Sequence, residues 1–203
     1  MTKLSELNIN EIERNGQWNE KDPEITGIET NSTRVEKGNI FFAKAGDTKN
    51  SHGVLFCNQA IERGASLVIT DPEGLKFALD KDLKLTIPFL LVRNLEATFD
   101  YLCQIFYPNK PKFVMGVTGT NGKTSVVNFS QQLIEKKNDS CVTIGTLGVG
   151  GVLNFRTGNT TPDQSFIARI LQMAKLKGAD YALLEVSSHS IVQQRIKNLE
   201  FNV

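Results

Sequence analysis

Three short stretches of this chain bring together residue types that handle phosphate, metal and acid. The first is Gly116-Val-Thr-Gly119-Thr-Asn-Gly122-Lys123-Thr124. Glycines let a backbone approach phosphate oxygens closely and adopt positive φ. Successive N–H groups, helped by the positive end of a following helix, then cradle the anion. Gly119, Thr120, Asn121, Gly122, Lys123, Thr124 and Ser125 are the candidate phosphate-binding residues. Lys123 supplies a point charge for the β- and γ-phosphates of ATP, and the Thr124 hydroxyl suits Mg²⁺. The general pattern places a glycine five residues before the Gly of Gly-Lys-Thr. Val117 stands there, and glycines stand instead at 116 and 119. A glycine-rich turn between strand and helix without any ligand would use the same residue types.

The second stretch is Tyr181-Ala-Leu-Leu-Glu185-Val-Ser187-Ser188-His189, an apolar run that ends in a carboxylate. In a parallel sheet the carboxyl ends of the strands line the ligand crevice. Glu185 and Thr124 would then offer two oxygens to a hard cation. A strand-end carboxylate paired with a lysine is the alternative. Ser187, Ser188 and His189 do not make a serine hydrolase, because neighbours on a turn rarely face each other and no Gly-x-Ser-x-Gly surrounds them. The third stretch is Gly158-Asn159-Thr160-Thr161-Pro162-Asp163. Thr161 has the position of a helix cap, with Pro162 at the first helical position and Gln164 three residues after the cap.

Alternating elements must hold these stretches in place. In the second half, the sequence predicts strands over 112–118, 140–146 and 181–186. It predicts a helix over 123–137, with Val126, Val127, Phe129, Leu133 and Ile134 facing inward. A second helix runs from the Thr161 cap to about Lys177, where Gly178 stops it. In the first half, strands are predicted over 39–43, 65–70 and 89–92, the second stopped by Asp71-Pro72. Helices are predicted over 54–63, closed by Gly64, and over 95–106. Strand–helix alternation points to mostly parallel sheets. Tyr107-Pro-Asn-Lys-Pro111 is a connector, since proline disfavours helix at the residue before it. It divides the chain into residues 1–109 and 110–203. Phe201-Asn202-Val203 has the character of the start of another strand, so the chain is expected to be a fragment of a longer protein.

Composition closes off other classes. The 203 residues carry 23 Lys plus Arg against 22 Asp plus Glu, a formal charge of +1. That balance argues against a basic nucleic-acid groove. No apolar run approaches the roughly 20 residues of a membrane span, and the N-terminus has no secretory signal pattern. Three separated cysteines, with no Cys-x-x-Cys, fit buried thiols in a reducing cytoplasm. Two histidines exclude a His-rich metal site.

The variant Thr118-Gly-Thr-Asn-Gly-Lys-Thr124 after a strand resembles the Mur ligase family, which joins amino acids to peptidoglycan precursors using ATP. Folylpolyglutamate and cyanophycin synthetases carry similar loops. Glu185-Val-Ser-Ser-His189 with Gln193-Gln-Arg195, and Asn159-Thr-Thr-Pro162, are similar to the Mur branch that adds the third residue. The resemblance implies a small N-terminal α/β uridine-binding-type domain (1–109), followed by part of a P-loop NTPase-like parallel-sheet domain (110–203). It assigns the UDP-N-acetylmuramoyl-dipeptide to Asn159, Thr160, Thr161, Ser187, Gln193 and Arg195. In the N-terminal half, only Ser32 of Asn31-Ser32-Thr33 matches the family's uridine-binding pattern. The implied reaction is amide formation through an acyl phosphate, with ATP and Mg²⁺ as cofactors, Lys123 and Glu185 as catalytic residues, and Thr124 and Glu185 on the metal. The implied partners are the UDP-dipeptide and a free amino acid, diaminopimelate or lysine, in a cytoplasmic monomer. The fragment by itself is expected to be inactive. The competing readings are a tetrapeptide-adding or folylpolyglutamate-type ligase, or a nucleotide-binding module without catalysis.

Overall fold

Runs of β-branched and aromatic residues become strands wherever helices can cover them, and the chain does this twice. A computed structural model describes residues 2–9, 12–14, 22–46, 51–83, 86–158, 160–197 and 199–203. The chain divides into two compact units, Met1–Phe106 and Tyr107–Val203.

In the first unit the strands are β1 (Thr2–Lys3), β2 (Ile12–Arg14), β3 (Glu24–Ile25), β4 (Gly27–Glu29), β5 (Asn39–Phe42), β6 (Leu67–Thr70) and β7 (Phe89–Val92). The helices are α1 (Cys57–Glu62), α2 (Pro72–Asp80) and α3 (Leu95–Phe106). β1 and β3 form a two-stranded antiparallel pair. The main sheet has the order β2-β7-β6-β5-β4, parallel except for β2. Every residue of β5 and β6 is buried, as expected for central parallel strands. From the sequence, Asp71-Pro72 is expected only to stop a strand. It is also a helix start: Asp71 Oδ1 accepts the Gly74 N–H at 2.8 Å and Pro72 opens α2.

In the second unit the strands are β8 (Phe113–Val117), β9 (Cys141–Gly145), β10 (Gly148–Gly151) and β11 (Tyr181–Glu185). The helices are α4 (Lys123–Lys136), α5 (Gln164–Leu176) and α6 (Ser188–Val192). The sheet order is β10-β9-β11-β8, with β10 antiparallel and the rest parallel. Strand alternation sorts the two faces. Val114, Val142, Ile144, Ala182 and Leu184 join Phe166, Ile167, Ile170 and Ala174 of α5 in one core. Thr143 and Glu185 point to the opposite side, where they meet Thr124 and Val127 of α4.

Three sequence expectations need correction here. Thr161 is not the cap of α5; Asp163 is, its Oδ1 accepting the Phe166 N–H at 3.1 Å. Of the five apolar residues expected to face inward on α4, only Val127 is buried. Val126 is exposed, Phe129 is 64% exposed and Leu133 is 65% exposed. Their spacing marks a stripe, but within this unit the helix lays a different face on the sheet. Residues 201–203 form no strand, yet the Asn202 N–H donates to the Val114 carbonyl at 2.8 Å. The Gly116 N–H donates to the Val203 carbonyl at 2.9 Å.

Candidate functional site

β8 and β11 lie side by side with Val117 opposite Glu185, so the loop leaving β8 and the carboxylate ending β11 share one edge of the sheet. The loop needs its glycines. Gly119 has φ +142 and Gly122 has φ +81, backbone that L side chains rarely adopt. Gly122 is also the N-cap of α4 and supplies no side-chain acceptor. The first N–H groups of α4 therefore have no partner within the helix. The loop from Thr118 to Gly122 is exposed. Lys123 Nζ folds back on it, donating to the Gly119 carbonyl at 2.6 Å. Gly116 is glycine for another reason: a Cβ there would sit 2.8 Å from the Phe201 ring.

Glu185 is 2% exposed and well supplied with donors. The Thr124 hydroxyl donates to Oε2 at 2.9 Å. The Thr146 N–H donates to Oε1 at 3.0 Å, and the Thr146 hydroxyl lies 3.1 Å from Oε2. A carboxylate is costly to bury without such partners. Gly145 makes room for it, since a Cβ at 145 would overlap the carboxylate. A cavity of about 40 Å³, large enough for water, opens beside the carboxylate between α4 and β9. Thr124 and Glu185, expected together from sequence, are together. Thr146 was not foreseen.

The stretch 160–161 and the turn after β11 form the adjoining wall. The Thr161 hydroxyl is buried; it donates to the Glu185 carbonyl at 2.7 Å and accepts the Ser187 N–H at 3.2 Å. Arg195 Nη1 donates to the Thr161 carbonyl at 2.6 Å. Ser187 caps α6, its Oγ accepting the Ser190 N–H at 3.2 Å. Thr160 Oγ1 lies 3.0 Å from the Thr146 hydroxyl. Gln193 follows α6 and is half-buried. Asn159 lies outside the described residues. Thr161 and Arg195 thus tie the loop before α5 to the turn after β11. In the first unit, buried Ser32 donates its hydroxyl proton to Gln59 Oε1 at 2.6 Å.

Residues 117–203 match the family described as Mur ligase middle domain. These residues belong to that family. Over 184 residues the chain is 36% identical to UDP-N-acetylmuramoyl-L-alanyl-D-glutamate--2,6-diaminopimelate ligase of Rickettsia bellii (strain RML369-C), a match covering 88% of this chain and 36% of that ligase. It is 30% identical over 185 residues to the ligase of the same name from Bacillus velezensis, covering 90% of this chain and 36% of that one. A solved structure of a Mur ligase of that name superposes with a TM-score of 0.64 at 26% identity, over 87% of this chain and 35% of that one. MurF from Acinetobacter baumannii, with a TM-score of 0.51 and 17% identity over 83% of this chain and 32% of that one, shares the fold. The chain spans just over a third of the length of the Mur ligases it matches. Among the described residues, no helix is long and apolar enough to cross a membrane.

Proposed function

We propose that this chain carries the UDP-substrate unit and the first part of the ATP-binding unit of a ligase that extends UDP-N-acetylmuramoyl-L-Ala-D-Glu by one amino acid. The observation that carries the reading is the Thr124 hydroxyl at 2.9 Å from a buried Glu185 carboxylate, at the mouth of a loop with two positive-φ glycines. The likeness to diaminopimelate-adding ligases supports the substrate class.

The donor set suits Mg²⁺, a hard cation that prefers a few carboxylate or hydroxyl oxygens and otherwise phosphate and water. No cluster of three or more His, Cys, Asp or Glu stands ready to hold a metal unaided among the described residues. The remaining ligands would therefore be phosphate and water oxygens, with Thr124 and Glu185 fixing the cation. ATP supplies the γ-phosphoryl group that turns the substrate carboxylate into an acyl phosphate, from which the incoming amine displaces phosphate. The chain's residues position and neutralise. Main-chain amides of Gly119, Thr120, Asn121, Gly122, Lys123, Thr124 and Ser125 hold the phosphates. Lys123 leaves the Gly119 carbonyl to meet the charge that develops on the transferred group. Ser187, Gln193, Arg195 and Thr160 line the muropeptide side, to which the resemblance also assigns Asn159. Thr161 contributes by holding that wall to β11. Ser32 would contact the uridine as an acceptor, since its proton is given to Gln59.

Calorimetry of the 203-residue chain with AMP-PNP and Mg²⁺ tests the reading. Wild type should bind, and Lys123→Ala should lose about 2–3 kcal/mol, the worth of hydrogen bonds to a charged group. Equal affinity of the two proteins would refute the phosphate assignment.

A further inference from the structure

Thr146 stands one residue beyond β9, exposed, in no motif that the sequence singled out. Yet it is the residue that touches both oxygens of the Glu185 carboxylate. Its N–H donates to Oε1 at 3.0 Å and its hydroxyl reaches Oε2 at 3.1 Å. Thr124 touches one oxygen only. Two donors from one residue, one on each oxygen, fix the plane of the carboxylate, whereas a single donor leaves it free to turn about its last bond. The Thr146 hydroxyl also lies 3.0 Å from Thr160 Oγ1. A hydroxyl has a single proton. With that proton on Glu185, the Thr160 hydroxyl can donate to Thr146 Oγ1, which links the three groups in one chain.

We propose that Thr146 is a positioning residue that sets the Glu185 carboxylate and couples it to Thr160. The inference rests on the phosphate-loop reading above. A cation held by Glu185 would need the carboxylate plane that the two Thr146 donors set, so the hydroxyl keeps its proton on Oε2 and accepts from the Thr160 hydroxyl. A ligand that draws on Thr160 acts on the same hydroxyl from the other side. The nucleotide end and the muropeptide end thus communicate through one side chain.

Thr146→Val keeps the shape and the N–H but removes the hydroxyl; Thr146→Ser keeps the hydroxyl. The 203-residue chain is titrated calorimetrically with AMP-PNP, with and without Mg²⁺, and the gain in affinity on adding Mg²⁺ is compared. The gain should fall about tenfold in Thr146→Val and return in Thr146→Ser, as expected for one charge-assisted hydrogen bond. Thermal melting of the three proteins separates a loss of fold from a loss of positioning. Thr160→Val, which removes the hydroxyl partner that holds the Thr146 side chain, should lower the gain in the same direction and serves if the Thr146→Val protein does not fold. A full gain in Thr146→Val or Thr160→Val, or a serine variant as poor as valine, overturns the inference and leaves the phosphate reading standing. Absence of Mg²⁺-dependent binding in wild type overturns both.

Discussion

A carboxylate that is buried and held by three donors tolerates little displacement, and Gly145 is the position that tests this most directly. A methyl at 145 would overlap the Glu185 carboxylate. Gly145→Ala should therefore push Glu185 out of place, cost about 1–3 kcal/mol in urea unfolding and remove the Mg²⁺-dependent gain in AMP-PNP affinity. An alanine variant as stable as wild type, with its Mg²⁺ response intact, would show that the carboxylate is not confined there. Glu185 itself was legible in the sequence, because an apolar run ending in an acid has few uses in a parallel sheet. Thr146 was not. Nothing in Thr146-Leu147 marks it, and only the pairing of β9 with β11, Ile144 opposite Leu184, brings it beside the carboxylate. Thr161 was misread because its type and its distance from Gln164 fit a cap. Asp163 takes that role, and the Thr161 hydroxyl is engaged by β11 and Ser187 instead.

The elements followed their sequence signals where a signal had one meaning. α3 lies over Leu95–Phe106, as the apolar spacing predicts, and β7 over Phe89–Val92. Elements were missed where a signal had two meanings or where tertiary context supplied the reason. Asp71-Pro72 ends β6 and begins α2. β10 contains three glycines in four residues, a composition depleted in strands. It pairs because side chains there would strike β9: a Cβ at Gly150 would sit 2.7 Å from Thr143 Oγ1. The apolar stripe of α4 announced a helix but not what covers it. The start of α5 depends on a single carboxylate, so Asp163→Ala should lower stability by about 1 kcal/mol with the helix otherwise intact, as judged by urea midpoint and circular dichroism. Thr161→Ser, which keeps the hydroxyl, should be much milder; a Thr161 variant that mimicked the Asp163 loss in helix content would restore the first reading of the cap.

For the molecule as a whole, a division at the proline-bearing segment after α3 and two parallel sheets are what the alternating pattern favours, and the two units have separate cores. Both units bury thiols. Burial pushes Cys57 up to about 12 from an ordinary 9.0. Burial likewise pushes Cys103 up to about 12 and Cys141 up to about 11. Below pH 9 the thiols are protonated whether the chain is folded or not, and their contribution is fully present. Above it, unfolded chains ionise while folded ones do not, so stability falls as pH rises from about 9 towards about 12. The urea midpoint should therefore drop between about pH 8 and about pH 10.5, and drop less in Cys57→Ala, whose first unit has one fewer thiol to ionise. A midpoint flat over that range would mean that the thiols are accessible in the native state. The backbone of residues 202–203 has a separate effect on association. Strand β8 borders the sheet, and a bare border offers a ladder to any extended chain that drifts past. Here the Val114 carbonyl and the Gly116 amide are already spoken for, so a neighbouring molecule finds no rungs at that point from which to grow a fibril.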